Sequence, residues 1–130
     1  MLKLAVTIIL MTFILVSCYS LSDSATNTLI KESANNRNEK KAILFLKEAG
    51  ATVTDSYQVT VCSNSHRLDK NEVGNTFTVD TNHGDTVLDT TSINFVWLGN
   101  DTLQIDYDRK LRTFIQQGKV VGVTIIYKAR

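Results

Sequence analysis

The chain contains no proline, only two cysteines and two histidines, and no large excess of charge of either sign. Two cysteines exclude a disulfide-rich scaffold, and two histidines mean that a zinc site would need carboxylates or Cys62 to complete four ligands. No apolar run reaches the about 20 residues that a membrane-spanning helix needs. The absence of proline is unusual for a chain with many turns, and the sequence offers no physical reason for it.

The charge balance excludes a nucleic-acid partner. The 14 basic residues are matched by 13 acidic ones, whereas binding to a phosphate backbone requires a basic excess or a basic stripe. The nearest approach to such a patch is the group Arg109, Lys110 and Arg112, which is set against Asp106 and Asp108. This mixture of charges predicts a solvated turn.

The N-terminus has the layout of a secretory signal peptide. Lys3 is followed by the 13-residue apolar run from Leu4 to Val16, then by Ser17 directly before Cys18. The string Leu-Val-Ser-Cys resembles a bacterial lipobox, and the resemblance implies that Cys18 is lipidated and becomes the mature N-terminus. Each buried methylene of an acyl chain adds about 0.8 kcal/mol of membrane affinity, so two or three chains anchor stably. A plain signal peptide and an uncleaved membrane anchor are the alternatives.

The remaining chain divides into a tether and one domain. Residues 18–38 are rich in Ser, Asn and Thr, which predicts a flexible tether with at most a short helical turn over residues 28–34. Residues 39–130 are long enough to enclose one core. Residues 1–17 are the predicted lipoprotein signal peptide. We therefore expect a lipid-anchored protein of the cell envelope, at the outer membrane if the bacterium has one, because Tyr19 replaces the aspartate that would retain it at the inner membrane.

Hydrophobic periodicity in the predicted domain is two, which is typical of β-strands. The apolar run Ala42–Leu46 predicts a strand buried on both faces, and turn residues separate the alternating segments. The sequence therefore predicts an all-β fold, a small antiparallel β-sandwich or partly closed barrel of about six to seven strands. The predicted core consists of Phe45, Val59, Phe77, Phe95, Trp97, Ile105 and Ile125.

One hairpin can be predicted to its register. A three-residue loop at residues 99–101 places Trp97 opposite Leu103 and Phe95 opposite Ile105, with their apolar side chains on one face. A two-residue loop would instead place Trp97 opposite Gln104. The first register predicts that Trp97 belongs to the core, and the alternative for this single tryptophan is an exposed platform that stacks on sugars.

The segment from Asp80 to Asp89 has the composition of a metal-binding or catalytic loop. Asp80, Asn82 and Asp85 supply oxygen ligands at a spacing similar to a calcium loop, but Gly84 lies at the fifth position and Thr91 at the twelfth. Asx residues and glycine are also the usual residues of strand connections. We expect a turn and no bound metal or cofactor, and these three residues are the candidate ligands of a low-affinity cation site.

Four side chains could serve as nucleophile or base. Cys62 follows alternating apolar residues and is predicted to be buried, although His66 lies four residues away. His83 could act as a base with Asp80 or Asp85, beside a serine such as Ser92. No nucleophile elbow or phosphate-binding loop accompanies them, so no catalytic residue is predicted.

Several strand-core and turn positions carry a resemblance to a known pattern. They are Lys41-Ala42-Ile43 with Phe45, Gly50-Ala51-Thr52, Gln58-Val59-Thr60-Val61, Gly74-Asn75 with Phe77, Asn94 with Trp97, Leu103 with Ile105 and Tyr107, and Gly122-Val123 with Ile125 and Tyr127. In these positions the chain resembles an uncharacterised family of small bacterial membrane-anchored or exported proteins. The resemblance implies a fold and a membrane attachment, and it implies no catalytic residue.

Two classes of function remain. The first is a non-enzymatic envelope lipoprotein whose β domain binds a macromolecular partner, either a protein or a cell-wall glycan. The second is an immunity protein or inhibitor that blocks a secreted toxin or hydrolase with an edge strand or loop. The sequence does not separate the two.

Overall fold

The structure is a computed structural model that describes residues 26–50 and 53–130. The predicted signal peptide and the lipidation site Cys18 lie outside the described residues. The described part contains nine β-strands and no helix, and therefore no helix that could cross a membrane. The strands are β1 (Thr26–Ala34), β2 (Lys40–Glu48), β3 (Ser56–Ser63), β4 (Phe77–Asp80), β5 (Ile93–Trp97), β6 (Thr102–Tyr107), β7 (Arg112–Gln116), β8 (Lys119–Val120) and β9 (Val123–Ala129).

The strands form two sheets that pack as a small β-sandwich. One sheet has the order β1-β2-β3-β4-β7 and the other the order β5-β6-β9-β8. The prediction of an all-β sandwich is confirmed, with more strands than the six or seven expected. Six of the seven strand pairs are antiparallel, whereas β6 and β9 are parallel. After β6 the chain crosses to the five-stranded sheet, where it forms β7. It then returns to the four-stranded sheet as β8 and β9.

The inner faces of the two sheets enclose one hydrophobic core. Among the predicted core residues, Val59, Phe77 and Ile105 are fully buried and Ile125 is 6% exposed. Phe77 contacts two further aromatic rings, because its centroid lies 5.0 Å from that of Tyr107 and 5.1 Å from that of Tyr127. The other buried members of the core are Ala42, Leu44, Tyr57, Val61, Val79, Ile93, Leu103, Leu111 and Val123.

The hairpin of β5 and β6 has the predicted register. Phe95 lies opposite Ile105 and Trp97 lies opposite Leu103. Trp97 is partly buried against the core, as is Phe95, so the prediction of a core position holds only in part. The indole Nε1 of Trp97 donates a hydrogen bond to the carbonyl oxygen of Ser33 at 3.0 Å. The ring therefore joins the β5 edge to β1.

The prediction of a flexible tether is wrong for residues 26–34, which form strand β1. Neither is this segment helical. It pairs along its length with β2, with a bulge at Ile30 between Leu29 and Lys31. Pairing with β2 gives backbone N–H and C=O groups of β1 their hydrogen-bond partners. Strand β1 is therefore stable although it has few apolar side chains and buries little surface of its own. Residues 18–25 lie outside the described residues.

The outer face of the five-stranded sheet is covered on one side by the long β3–β4 loop, residues 64–76. Successive side chains of a strand point to opposite faces, so Phe45 lies on this outer face, where it is fully buried. Lys47 Nζ donates to the carbonyl oxygen of Glu72 at 3.0 Å, and Gly74 N donates to Gln58 Oε1 at 2.8 Å. The loop thus passes directly over β2 and β3 and leaves the β4–β7 side of this face open.

The C-terminal part contains two strands that the sequence did not predict, β7 and β8. The last strand, β9, begins at Val123, because Val121 and Gly122 form a turn with φ values of 43° and 78°.

Candidate functional site

An ion pair between Asp80 and Arg112 lies on the open side of the outer face. The two residues are opposite one another in the β4–β7 pairing. Arg112 Nε donates to Asp80 Oδ1 at 3.1 Å, and Arg112 Nη2 donates to Asp80 Oδ2 at 2.5 Å. Asn82 N also donates to Asp80 Oδ1, at 2.9 Å. This two-pronged contact fixes the plane of the guanidinium group.

The two charges of the pair balance one another. Burial acts to raise the pKa of Asp80, but the hydrogen bonds from Arg112 and the Asn82 N–H outweigh it and hold the pKa below its ordinary value. The hydrogen bond to Asp80 in turn raises the pKa of Arg112. Asp80 is therefore ionised at neutral pH and neutralises the guanidinium beside it.

His83 lies beside the same guanidinium. Arg112 Nη1 lies 2.9 Å from His83 Nε2, and a guanidinium group can only donate in such a contact. Asn82 and His83 have φ values of 51° and 61°, and Gly84 follows with 87°. Three consecutive residues in the left-handed region turn the chain sharply after β4, as the residue types predict.

The candidate cation ligands are poorly placed for a metal ion. Both carboxylate oxygens of Asp80 accept hydrogen bonds from Arg112, whose positive charge repels a cation. Asn82 Nδ2 donates to Asp85 Oδ2 at 3.4 Å. No group of three or more His, Cys, Asp or Glu residues in the described ranges could hold a metal ion. The geometry favours a turn over a cation site.

A cleft of about 390 Å³ opens beside the ion pair. Small-molecule sites have volumes of about 300–1,000 Å³, so the cleft is at the lower end of that range. We name it the Arg112 cleft. Its lining residues are Val53, Thr54, Ser56, Thr78, Asp80, Arg112 and Phe114.

Phe114 gives the cleft an aromatic wall. The register of β4 with β7 shifts at this point, since Thr78 pairs with Ile115 and Val79 pairs with Thr113. Phe114 is thus the extra residue of a β-bulge, a feature that redirects side chains at sheet edges. The Arg112 guanidinium lies 4.7 Å from the centroid of the ring. The Phe114 side chain is nevertheless 57% exposed, so much of its apolar surface is free.

Thr78 gives the cleft a buried polar group. The residue is 7% exposed, and its Oγ1 has no hydrogen-bond partner among the described residues. A buried hydroxyl group without a partner costs about 1–3 kcal/mol of stability. The atom has almost no accessible surface of its own, and Thr60 Oγ1, Asn27 Oδ1 and Asn100 Oδ1 also lack a partner among the described residues, so the unpartnered hydroxyl group does not by itself mark a ligand site.

The predicted candidates for a nucleophile or a base do not pair with one another. Cys62 Sγ lies 3.9 Å from the carbonyl oxygen of Lys41, and His66 Nε2 lies 2.8 Å from Glu72 Oε2. Burial raises the pKa of Cys62 to about 11, although Lys41 partly opposes the shift. Cys62 is half-buried rather than fully buried, and its thiol is protonated at neutral pH.

Ser92 also lacks a catalytic base. Its Oγ is within hydrogen-bond distance of the carbonyl oxygen of Val87 at 3.1 Å and of Asp89 Oδ1 at 3.3 Å. His83, the base considered from the sequence, instead contacts Arg112. The serine closes a turn that Asp89 organises.

A second, larger groove of about 600 Å³ lies where the β3–β4 loop meets the β1 edge. Two of its charged residues already have partners in the structure. Lys41 Nζ donates to Glu32 Oε2 at 3.1 Å, and His66 contacts Glu72. The Arg112 cleft is the better candidate, because the exposed aromatic ring of Phe114 lines it, whereas no Phe, Tyr or Trp lines the larger groove.

Comparison with known proteins gives no relative: no protein-family model, curated protein or solved structure matches the chain.

The sequence did not identify the main residues of the cleft. Arg112 was assigned to a solvated turn with Arg109 and Lys110, which is wrong for Arg112 and right for its two exposed neighbours. Phe114 and Thr78 were not considered. The alternation of Arg112 and Phe114 directly after a turn is the only local pattern that could have indicated a strand with a functional face.

Proposed function

We propose that the chain is a non-enzymatic lipoprotein of the bacterial cell envelope whose β domain binds a macromolecular partner through the Arg112 cleft. The observation that carries the proposal is the ring of Phe114, which is 57% exposed at the wall of the cleft and lies beside the Arg112 guanidinium. Exposed aromatic residues next to fixed polar groups are typical of recognition surfaces. A cell-wall glycan and an envelope protein are both partners of suitable chemistry.

The membrane attachment in this proposal rests on the lipobox pattern at Cys18. Acyl chains on that residue would hold the domain at the envelope, with the outer membrane preferred in a bacterium that has one. The absence of catalysis is supported by the contacts of the reactive side chains. Among the described residues, neither His66 nor His83 contacts Cys62 or Ser92, so no histidine is paired with either candidate nucleophile.

The alternative of an inhibitor that offers an edge strand has less support. A partner strand must pair along a regular edge, and bulges at sheet edges hinder such pairing. Both edge strands of the five-stranded sheet have register shifts in their pairing, β1 at Ile30 and β7 at Phe114. Recognition on the face of the five-stranded sheet is thus favoured over strand addition to its edges.

The experiment measures binding of the full-length chain, in mild detergent, to two envelope fractions of the producing bacterium. These fractions are purified cell-wall sacculi and solubilised envelope proteins. Aromatic residues at the centre of an interface contribute 2 kcal/mol or more, so Phe114→Ala should weaken binding to one fraction by more than about tenfold. Leu98→Ala is the matched control, because Leu98 is 53% exposed and belongs to the β5–β6 loop. Equal binding by the two variants would contradict the proposal.

A further inference from the structure

We propose that the lipid anchor holds the β-sandwich with the Arg112 cleft toward the membrane and the β5–β6 loop away from it, so that the cleft end faces the lipid surface. This inference rests on the proposed function, because it needs the acyl chains on Cys18. It deepens that function, since it says where the partner is met: at the surface of the membrane that carries the anchor. It follows from the register of the five-stranded sheet and from the length of chain between Cys18 and β1.

The register of the five-stranded sheet places the cleft at the end where β1 begins. One row of paired residues crosses all the strands of this sheet, and its members in order are Asn27, Lys47, Ser56, Asp80 and Arg112. Neighbouring strands are about 4.8 Å apart, so Arg112 lies about 19 Å across the sheet from Asn27. The cleft is therefore level with the start of β1.

The β5–β6 loop lies at the other end of β1. Trp97 Nε1 donates to the carbonyl oxygen of Ser33 at 3.0 Å, and Asn35 Nδ2 donates to that of Asn100 at 2.9 Å. Strand β1 has 9 residues, and at about 3.3 Å per residue its first and last Cα atoms are about 26 Å apart. About the length of this strand therefore separates Leu98 from the start of β1.

The chain between Cys18 and β1 is short. Residues 19–25 separate Cys18 from Thr26, the first residue of β1. Since an extended chain spans at most about 3.6 Å per residue, Thr26 stays within about 29 Å of Cys18. A flexible chain of that length spans about 16 Å on average. An anchor at Cys18 thus keeps the start of β1 close to the lipid head groups.

An inverted domain would need an almost fully stretched tether. If the β5–β6 loop lay on the lipid surface, Thr26 would be raised by about the 26 Å length of β1. This height is close to the limit of about 29 Å and well above the average span, so the connecting chain would lose most of its conformational freedom. With the start of β1 toward the lipid, the chain keeps that freedom. The orientation with the cleft toward the membrane is therefore favoured by entropy.

Charge attraction is not the cause of this orientation. The loops at the cleft end are residues 49–55, 81–92 and 108–111. Their acidic residues are Asp55, Asp85, Asp89 and Asp108, and their basic residues are Arg109 and Lys110. An excess of negative charge is repelled by anionic head groups. The orientation should therefore be found on neutral lipid and should change little with salt.

The experiment is methyl NMR of the lipidated chain in phosphatidylcholine nanodiscs that contain a small fraction of gadolinium-labelled lipid. Gadolinium at the head groups speeds the relaxation of nearby methyl groups, and the effect falls steeply with distance. Val53 and Val87 are 65% and 71% exposed at the cleft end, whereas Leu98 and Val121 are 53% and 56% exposed at the opposite end. We expect a several-fold larger enhancement of relaxation at Val53 and Val87 than at the other two residues.

A longer tether is the matched control. A Gly-Ser insert of about 20 residues between Ala25 and Thr26 raises the average span to about 29 Å, which exceeds the length of β1. The inverted domain is then no longer excluded. The difference in relaxation between the two ends should largely disappear.

Three results would overturn the inference. They are equal enhancement at both ends with the native tether, larger enhancement at Leu98 and Val121, and a difference that the longer tether leaves unchanged. In each case the proposed function stands, provided that mass spectrometry finds acyl chains on Cys18. A purified chain without acyl chains on Cys18 would overturn this inference together with the membrane attachment in the proposed function.

Discussion

Gly74→Ala tests the packing of the β3–β4 loop, which determines how much of the outer face is open. A Cβ atom at Gly74 would lie 2.9 Å from Gln58 Cβ, 3.0 Å from the carbonyl oxygen of Val59 and 3.1 Å from Val59 N. The favourable separation of carbon atoms is about 3.5–4.0 Å. Two of these three atoms are backbone atoms of the central strand β3 and cannot move without disturbing its pairing. Such overpacking costs about 1–3 kcal/mol.

The assay is urea unfolding followed by tryptophan fluorescence. With a slope of about 2 kcal/mol per molar urea, a loss of about 2 kcal/mol lowers the midpoint by about 1 M. Gly118→Ala is the matched control, because its Cβ meets nothing within 4 Å and its φ lies outside the left-handed region. That variant should be stabilised by about 0.4–1 kcal/mol through the unfolded state. An unchanged or raised midpoint for Gly74→Ala would show that the loop does not cross β3 as described.

Three further predictions follow from the leader, the core and the ion pair. Cys18→Ala should abolish labelling by an alkyne fatty acid, and unchanged labelling would contradict the lipobox assignment. Trp97→Ala should cost about 2–3 kcal/mol, which includes the lost hydrogen bond to Ser33 but is less than the about 3–5 kcal/mol of a fully buried aromatic residue, because the ring is only partly buried. Since Trp97 is the single tryptophan, the unfolding midpoint is followed by circular dichroism, and a midpoint equal to that of the wild type would contradict this packing. The depressed pKa of Asp80 contributes stability above the pKa of the unfolded state, near 3.9, which is lost as the pH falls through the lower folded pKa. Asp80→Asn should therefore show a smaller loss of stability than the wild type between about pH 5 and pH 2 in acid titrations followed by fluorescence, and parallel curves would refute the role of the Arg112 pair.

The elements that could be predicted from the sequence are those whose side chains follow a simple local rule. The register of the β5–β6 hairpin was predictable, because only an odd loop places Phe95 and Trp97 opposite apolar partners. The run Ala42–Leu46 was recognisable as a strand buried on both faces. These patterns depend on residues close together in the chain.

The elements that could not be predicted depend on contacts between distant segments. Strand β1 has a polar composition, and it is held by pairing with β2 and by the bond from Trp97 to Ser33, 64 residues apart. Arg112 and Asp80 are 32 residues apart and meet only through the β4–β7 pairing. The direction of Phe114 depends on a bulge that no local sequence pattern marks. The cleft could therefore not be predicted from the sequence without knowledge of the strand pairing.

The most direct test of the central claim is photo-crosslinking in living cells with benzoylphenylalanine in place of Phe114. This side chain keeps an aromatic ring at the cleft and reacts with C–H bonds of sugars and proteins. We expect an adduct with an envelope component from this position, and little or none from benzoylphenylalanine in place of Leu98. Absence of an adduct at position 114, or equal yields at the two positions, would contradict recognition through the Arg112 cleft.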